Sequence, residues 1–154
     1  MKYFILIICL GAINIFFGSC KKDIAKVDNI NANSIVGTWE LRQAQNGMIP
    51  TIEYSPGNGN ILKFSDSAYE NFTNGNLIKS GHYMLIRDTS VEAEIGLVIP
   101  IGQFTNRIIF DSDFTSRKTF IEISNNKLTF LSGFFPLDGG SNVLYERIKT
   151  TANN

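Results

Sequence analysis

Residues 69–87 read YENFTNGNLIKSGHYMLIR, and this stretch carries the clearest structural signal in the chain. Asn74-Gly75 separates two runs that are rich in aromatic and aliphatic residues. This dipeptide is typical of a type I′ β-hairpin turn, in which both central residues need positive φ. Asn125-Asn126 separates the runs FIEIS and KLTFL in the same manner, with a weaker turn signal. The sequence therefore predicts antiparallel strands joined by tight turns.

Short runs of β-branched and aromatic residues continue in both directions from this hairpin, beginning at Ile35. No window of eleven or more residues after Ile35 shows the i, i+3, i+4 apolar spacing of an amphipathic helix. The predicted fold class is therefore all-β: an up-and-down antiparallel β-barrel of about eight strands without substantial helix, with a sandwich as the alternative. The predicted strands are residues 35–43, 51–54, 61–65, 69–73, 77–87, 92–101, 107–111, 119–124, 127–131 and 142–149.

Two of these predicted strands carry further expectations. In strand 92–101, alternation predicts that the aliphatic residues face inward: Ile95, Leu97, Ile99 and Ile101. Glu92 and Glu94 lie on the opposite face and are expected to face solvent. In strand 77–87 both faces carry apolar residues. We therefore expect a bulge at Gly81, where the facing would switch.

The overall composition excludes one broad functional class. Lys plus Arg number 14 and Asp plus Glu number 14, so the formal net charge is zero. Nucleic-acid affinity depends mainly on cations that neutralise phosphates, so the composition argues against a nucleic-acid binder. With 44% hydrophobic residues, a chain of 154 residues can form one folded core. Two cysteines can form at most one disulfide and cannot complete a four-cysteine zinc site.

Residues 1–19 have the organisation of a bacterial export signal. Met1-Lys2 is a short positive segment, and residues 3–17 form an apolar run too short to span about 30 Å of hydrocarbon as a helix. Gly18-Ser19-Cys20 follows and resembles the lipobox of bacterial lipoproteins, with Phe17 where that pattern prefers an aliphatic residue. The resemblance implies cleavage before Cys20 and acylation of this cysteine. The alternative is an ordinary secreted protein that is cleaved near Ser19.

Cleavage before Cys20 divides the chain into four segments. Residues 1–19 are the signal peptide, and residues 20–34 are the lipidated cysteine followed by a polar, Asn-rich tether with an r.m.s. reach of about 20 Å. Residues 35–150 form the β-barrel domain, and residues 151–154 a disordered tail. We therefore expect a protein of the bacterial cell envelope that is anchored by lipid, at the outer membrane.

The first and last predicted strands share a further pattern. Gly37-Thr38-Trp39 lies at the start of the first strand, and Arg147 lies near the end of the last. Gly-x-Trp in this position resembles the lipocalin signature, and the chain is most similar to small lipocalin-like domains of Bacteroidetes lipoproteins. In that family an arginine of the last strand packs across the tryptophan. The resemblance implies that Gly37, Trp39 and Arg147 close one end of the barrel through a cation–π contact.

Catalytic and metal-binding patterns are sparse. His82 is the only histidine, and no nucleophile motif, zinc motif or phosphate loop accompanies it. Asp111-Ser112-Asp113 lacks the glycine and terminal glutamate of a calcium loop, so we expect a turn. Asp66-Ser67-Ala68 resembles an O-glycosylation site of exported Bacteroidetes proteins, which makes Ser67 a candidate modification site. The sequence predicts no catalytic residues, no metal site and no cofactor.

Two functional hypotheses follow from this pattern. In the first, the barrel mouth opposite Trp39 binds a small hydrophobic or amphipathic ligand, with lining candidates Phe64, Tyr83, Phe110 and Phe130. In the second, the chain is a structural or interaction lipoprotein, such as an envelope-complex subunit or an inhibitor. It would then contact an envelope partner through the Phe134-Phe135 loop or the outer barrel face. An open interior favours ligand binding, and a filled interior favours the interaction role.

Overall fold

The structure of the chain is a computed structural model that describes residues 34–148. The predicted signal peptide (1–19), the lipobox cysteine Cys20, nearly all of the predicted tether and the predicted tail (151–154) lie outside the described residues. The elements follow in this order: β1 (Gly37–Asn46), β2 (Ile52–Glu53), β3 (Ile61–Phe64), β4 (Ala68–Thr73), β5 (Asn76–Arg87), α1 (Val91–Ile95), β6 (Asn106–Phe110), β7 (Thr119–Ser124), β8 (Lys127–Ser132), a 3₁₀ turn (Phe135–Leu137) and β9 (Ser141–Ile148).

Eight of these nine strands close into one antiparallel barrel. Hydrogen bonds join them in the order β1-β3-β4-β5-β6-β7-β8-β9, and β9 pairs with β1 to complete the ring. The two-residue strand β2 adds to a part of β1 that β3 leaves unpaired, where Gln43 lies opposite Glu53. The predicted all-β class and the up-and-down antiparallel barrel are confirmed, and the sandwich alternative is wrong.

The barrel has two ends that differ in what they hold. Because consecutive barrel strands run in opposite directions, their connections alternate between the ends. The closed end, as we call it, receives the chain at Ser34 and holds the turns at 65–67 and 125–126, and the connection 88–105 leaves and re-enters the barrel there. The opposite end, the open end, holds the connections 47–60, 74–75, 111–118 and 133–140.

Aromatic pairs fill the barrel between these two ends. Three T-shaped contacts join strands across the interior: Phe64 on β3 with Tyr83 on β5 at 4.9 Å between ring centroids, Tyr69 on β4 with Phe110 on β6 at 4.7 Å, and Phe130 on β8 with Tyr145 on the adjacent β9 at 5.6 Å. Trp39 and Leu128 have no exposed surface and complete the same core. The middle of the barrel is therefore packed with side chains, as eight-stranded barrels can be.

Tyr145 in this core makes the free energy of unfolding fall with pH above about pH 10. Burial, with the nearby Tyr54 as a second cause, raises the pKa of Tyr145 to about 12. The unfolded chain releases this proton near pH 10, so between the two pKa values ionisation favours the unfolded state. This contribution to stability is fully present below pH 10 and falls by about 1.4 kcal/mol per pH unit as the pH rises towards 12.

We expect Tyr145→Phe to remove this pH dependence. Between pH 9 and pH 11 the wild-type chain should lose about 1.4 kcal/mol more unfolding free energy than the variant, which has no phenol at this position. Urea unfolding of both proteins at the two pH values measures the difference. Equal losses in the two proteins would show that Tyr145 does not titrate in the folded barrel with a raised pKa.

The predicted strand 92–101 is wrong. Residues Val91–Ile95 form one short α-helix, and the loop that follows leaves Ile101 fully exposed. Val91 and Ile95 are one helical turn apart and both buried, whereas Glu92 and Glu94 are exposed on the helix instead of sharing a strand face. Gly96 ends the helix in the left-handed conformation at φ 72°, and its N–H bonds the carbonyl of Glu92 at 2.9 Å.

This helix covers a second apolar cluster on the outside of the barrel. Phe120 and Leu131 are opposite each other on β7 and β8 and point away from the interior, because Ile121 and Phe130 next to them point inward. The outer cluster consists of Val91, Ile95, Phe104, Phe120 and Leu131, with Ile99 and Phe135 packed against it. The long connection between β5 and β6 is thus fixed to the barrel wall.

A buried ion pair fixes another loop to the outside of β1. Glu40 is 4% exposed, and its carboxylate accepts a hydrogen bond from the Arg42 guanidinium at 2.7 Å. Burial opposes the charged form of Glu40, but the bonds from Arg42 and from Gly57 and Gly59 outweigh it and lower the pKa of this carboxyl. The loop 54–60 is therefore held against β1 by a carboxylate that stays ionised at neutral pH.

Candidate functional site

Trp39 and Arg147 meet at the closed end. The Arg147 guanidinium carbon lies 4.1 Å from the centroid of the Trp39 ring, so the cation–π contact implied by the resemblance is present. Arg147 also donates to the carbonyls of Val36, at 2.7 Å, and of Ser34. The Trp39 indole N–H donates to the Ile35 carbonyl at 2.7 Å. The arginine and the tryptophan thus hold the incoming chain against the end of the barrel.

Gly37 is required by this arrangement. Its φ is 143°, and a Cβ atom at this position would collide with the Arg147 guanidinium. Burial lowers the pKa of Arg147, and its Nε has no hydrogen-bond partner among residues 34–148. Gly37, Trp39 and Arg147 therefore lie together as one packed unit, and none of them lines the cleft described next.

A gap in the barrel wall opens near the open end. Strand β6 pairs with β7 only at residues 106–108, although it stays paired with β5 as far as Phe110. After Ile108 the two strands separate, and the loop 111–118 arches between them. Asp111 and Ser112 enter this loop with φ values of 53° and 58°, so the expected turn at Asp111-Ser112-Asp113 is observed.

This gap and the barrel opening form one cleft of about 460 Å³, which we call the mouth cleft. Its floor is apolar and consists of Leu62, Ile108 and Phe110. Its polar side includes Tyr69 and Asn71 on β4, Lys79 on β5, Asp111, and the loop residues Arg117 and Lys118, and Phe114 of the same loop adds a further apolar group. Clefts of this size with an apolar floor and a few polar groups are typical of sites for small molecules.

Asp111 organises the polar side of the mouth cleft. Its carboxylate accepts hydrogen bonds from the Tyr69 hydroxyl at 3.0 Å and the His82 backbone N–H at 3.1 Å, and it contacts the Lys79 ammonium at 2.9 Å. Gly81 makes room for this carboxylate, because a Cβ atom there would collide with Asp111 Oδ1. The expected bulge at Gly81 is wrong, since the register shift of this hairpin follows Asn71.

The same contacts determine the protonation of these groups. Hydrogen bonds from Lys79 and Tyr69 lower the pKa of Asp111, and the bond to Asp111 raises the pKa of Lys79. Burial raises the pKa of Tyr69. At neutral pH the mouth cleft therefore presents an ammonium, a carboxylate and a neutral phenol beside its apolar floor. The carboxylate and the ammonium are paired with each other, and the Lys79 side chain is more than half exposed.

The four predicted lining residues separate into two groups. Phe110 lines the mouth cleft, whereas Phe64, Tyr83 and Phe130 pack in the aromatic core below it. Sequence reasoning missed Leu62, Ile108, Lys79 and Asp111 as lining residues. Alternation along β3 and β6 places Leu62 and Ile108 inward, but no sequence signal shows where β6 leaves β7.

The remaining candidates from the sequence lie away from the cleft. The His82 side chain is exposed, with Nδ1 3.3 Å from the Ser67 carbonyl oxygen, and Ser67 is exposed in the turn between β3 and β4. Phe134 is exposed, but Phe135 packs against the outer cluster, so the pair does not form one contact patch. Within residues 34–148 no group of acidic, histidine or cysteine side chains is arranged to hold a metal ion.

Residues 34–148 contain no helix long and apolar enough to cross a membrane. No protein-family model, no curated protein and no solved structure matches this chain.

Proposed function

We propose that the chain is a cell-envelope lipoprotein whose barrel binds a small amphipathic ligand in the mouth cleft. The observation that carries the proposal is the cleft of about 460 Å³, in which an apolar floor lies beside the Lys79 side chain, which is more than half exposed. Leu62, Ile108 and Phe110 would contact the apolar part of the ligand. Lys79 would donate to its polar part, since an ammonium has three N–H donors and the Lys79 side chain is more than half exposed beside Asp111.

A filling substitution tests this site. Asn71→Trp places a large side chain in the cleft, because Asn71 points inward beside Lys79. Glu70→Trp is the matched control, since the neighbouring residue of β4 points outward and is exposed. The binding of anilinonaphthalene sulfonate to each protein is measured by calorimetric titration. We expect Asn71→Trp to bind this probe at least about tenfold more weakly than the wild type, a loss of about 1.4 kcal/mol in binding free energy. Glu70→Trp should bind it as tightly as the wild type.

Two outcomes would contradict the proposal. If Asn71→Trp bound the probe as tightly as the wild type, the mouth cleft would not be the site. If the wild type bound no probe and native mass spectrometry of the protein from its own membrane showed no bound small molecule, the binding function would be wrong.

A structural or interaction role is the second candidate, and the filled barrel interior favours it. Its exposed aromatic contact would be Phe134, which is 40% exposed. Phe134→Ser should then remove a cross-linked envelope partner, whereas Phe114→Ser should retain it, because Phe114 lies on a different loop. Phe135 is left unchanged, because its ring packs against Gly140 and the outer cluster. An unchanged cross-linking pattern for Phe134→Ser would count against this role.

A further inference from the structure

Three connections carry apolar side chains that point into solvent: 47–60 and 133–140 at the open end, and 88–105, which leaves the barrel at the closed end and packs along the outer wall as far as 133–140. We call this set the apolar rim: Met48, Ile49, Leu97, Val98, Phe134 and Leu137. Val98 is 94% exposed, Met48 84% and Leu137 80%. Single exposed apolar residues are ordinary on protein surfaces, but a group of them on adjoining loops usually marks a contact surface.

Contacts between the loops show that the apolar rim is continuous. The Met48 N–H donates to the Asp138 carboxylate, and the Gly47 N–H donates to the Gly140 carbonyl at 2.7 Å. A Cβ atom on Gly96, which directly precedes Leu97, would meet the Phe134 ring at 2.7 Å. The loops that carry Met48, Leu97 and Leu137 therefore abut one another through the connection 133–140.

The six rim side chains are uncharged, the exposed Asp138 carboxylate lies between Met48 and Leu137, and a cation lies behind the rim. The segments 43–52, 95–106 and 128–137, which contain all six rim residues, include no Asp, Glu, Lys or Arg. Arg117 shares a second cleft, of about 370 Å³, with Phe134 and Leu137. Its guanidinium donates to the Gly139 carbonyl at 3.0 Å and forms no ion pair within residues 34–148.

Other charges near the rim are already engaged. Lys118, the neighbour of Arg117, contacts Glu94 at 2.8 Å and Asp88 at 3.3 Å. Asp138 accepts the Met48 N–H. A bilayer surface has acyl chains below anionic phosphates. The uncharged apolar side chains of the rim suit the acyl chains, and Arg117, which has no ion pair within residues 34–148, suits the phosphates.

We propose that the apolar rim inserts into the surface of a phospholipid bilayer, so that the open end of the barrel faces the membrane. The rim residues are mostly aliphatic and project from separate loops, and none is Trp, Tyr or Arg, which dominate the centres of protein interfaces. Acyl chains can close around each tip individually, and Arg117, which shares a cleft with Phe134 and Leu137, would then face the phosphates. A rigid protein partner would need a separate pocket for each loop.

The lipid anchor on Cys20, which is part of the proposed function, is compatible with this orientation. The inference depends on this anchor only to hold the chain at the bilayer. The chain enters the barrel at the closed end, through Ser34. A strand of ten residues, tilted as in eight-stranded barrels, gives a barrel height of about 25 Å. The fourteen residues 21–34, fully extended, reach about 46–50 Å, which exceeds the barrel height.

Introduced tryptophans test the insertion. Val98→Trp and Leu137→Trp each place an indole on the apolar rim, whereas Ser67→Trp places one in an exposed turn at the closed end. Trp39 is fully buried and gives the same background in every variant. The full chain, as processed in its own membrane, is reconstituted into vesicles of phosphatidylethanolamine and phosphatidylglycerol with brominated acyl chains.

The indoles at positions 98 and 137 should lose about half of their emission relative to unbrominated vesicles, because rim insertion reaches the acyl boundary. The indole at position 67 should lose none. Equal quenching at all three positions, or none at 98 and 137, would overturn the proposal. Concentration-dependent burial of these indoles without vesicles would overturn it in favour of a protein partner or a second copy.

The anchor is measured separately, from the mass of the N-terminal peptide. If Cys20 carries no lipid, the quenching measurement is repeated with the chain and vesicles simply mixed. A failure of the anchor is then distinguishable from a failure of the rim to insert.

Discussion

Replacing Trp39 with alanine is expected to lower the free energy of unfolding by about 3–5 kcal/mol, the range measured for large buried aromatic residues. Trp39 has no exposed surface, and its ring supports the Arg147 guanidinium at 4.1 Å. Its indole N–H also bonds the Ile35 carbonyl. The substitution therefore leaves a cavity and removes the aromatic partner of the half-buried Arg147. Urea unfolding at neutral pH measures the loss.

Trp39→Phe is the matched control for this substitution. Phenylalanine keeps an aromatic face for Arg147 and much of the volume but loses the indole N–H, whose hydrogen bond contributes about 0.5–1.5 kcal/mol. We therefore expect a smaller loss than for alanine. If Trp39→Ala stayed within about 1 kcal/mol of the wild type, the closed end would not be the packed unit described above.

Phe120→Ala is expected to cost a similar amount, about 3–5 kcal/mol, although Phe120 points away from the barrel interior. The ring is fully buried in the outer cluster under α1, between Val91, Ile95 and Leu131. Phe114→Ala is the control, since Phe114 is 57% exposed and should change stability by no more than about 0.5 kcal/mol. Equal effects of the two substitutions would mean that α1 does not pack on the barrel in solution.

The fold was largely predictable because its signals are local. Asn74-Gly75 and Asn125-Asn126 both form the expected turns, and all four residues have positive φ. Alternation in the strands that flank the second turn then places Ile121, Leu128 and Phe130 inside. In a closed up-and-down barrel each strand pairs mainly with its sequence neighbours, so local hairpin signals specify nearly the whole topology.

The segment 91–101 shows where a local pattern misleads. Ile95, Leu97, Ile99 and Ile101 alternate as in a half-buried strand, yet Ile95 is buried in a helix and Ile101 is fully exposed. The competing signal was the spacing of Val91 and Ile95, one helical turn apart, followed by Gly96 as a left-handed helix end. Five residues are too few for a periodicity argument, so packing against Phe120 decides the conformation.

The mouth cleft could be predicted only in part. The sequence suggested an opening at the end opposite Trp39 and gave Phe110 as a lining residue, which the structure places there. The cleft itself depends on where β6 separates from β7, after Ile108, and on Asp111 folding back over Gly81. Both are tertiary features that bring residues of distant segments together, and no single segment of the sequence carries them.

The central claim is that the mouth cleft binds a small amphipathic molecule. Its most direct test is methyl NMR of the protein during titration with anilinonaphthalene sulfonate, following Leu62 and Ile108 on the cleft floor and Val98 on the rim. We expect saturable shifts of the Leu62 and Ile108 methyl resonances. If the Leu62 and Ile108 methyl resonances did not shift at saturating probe, the mouth cleft would not be a binding site and the account would be contradicted. A shift of the Val98 resonance would not change this conclusion.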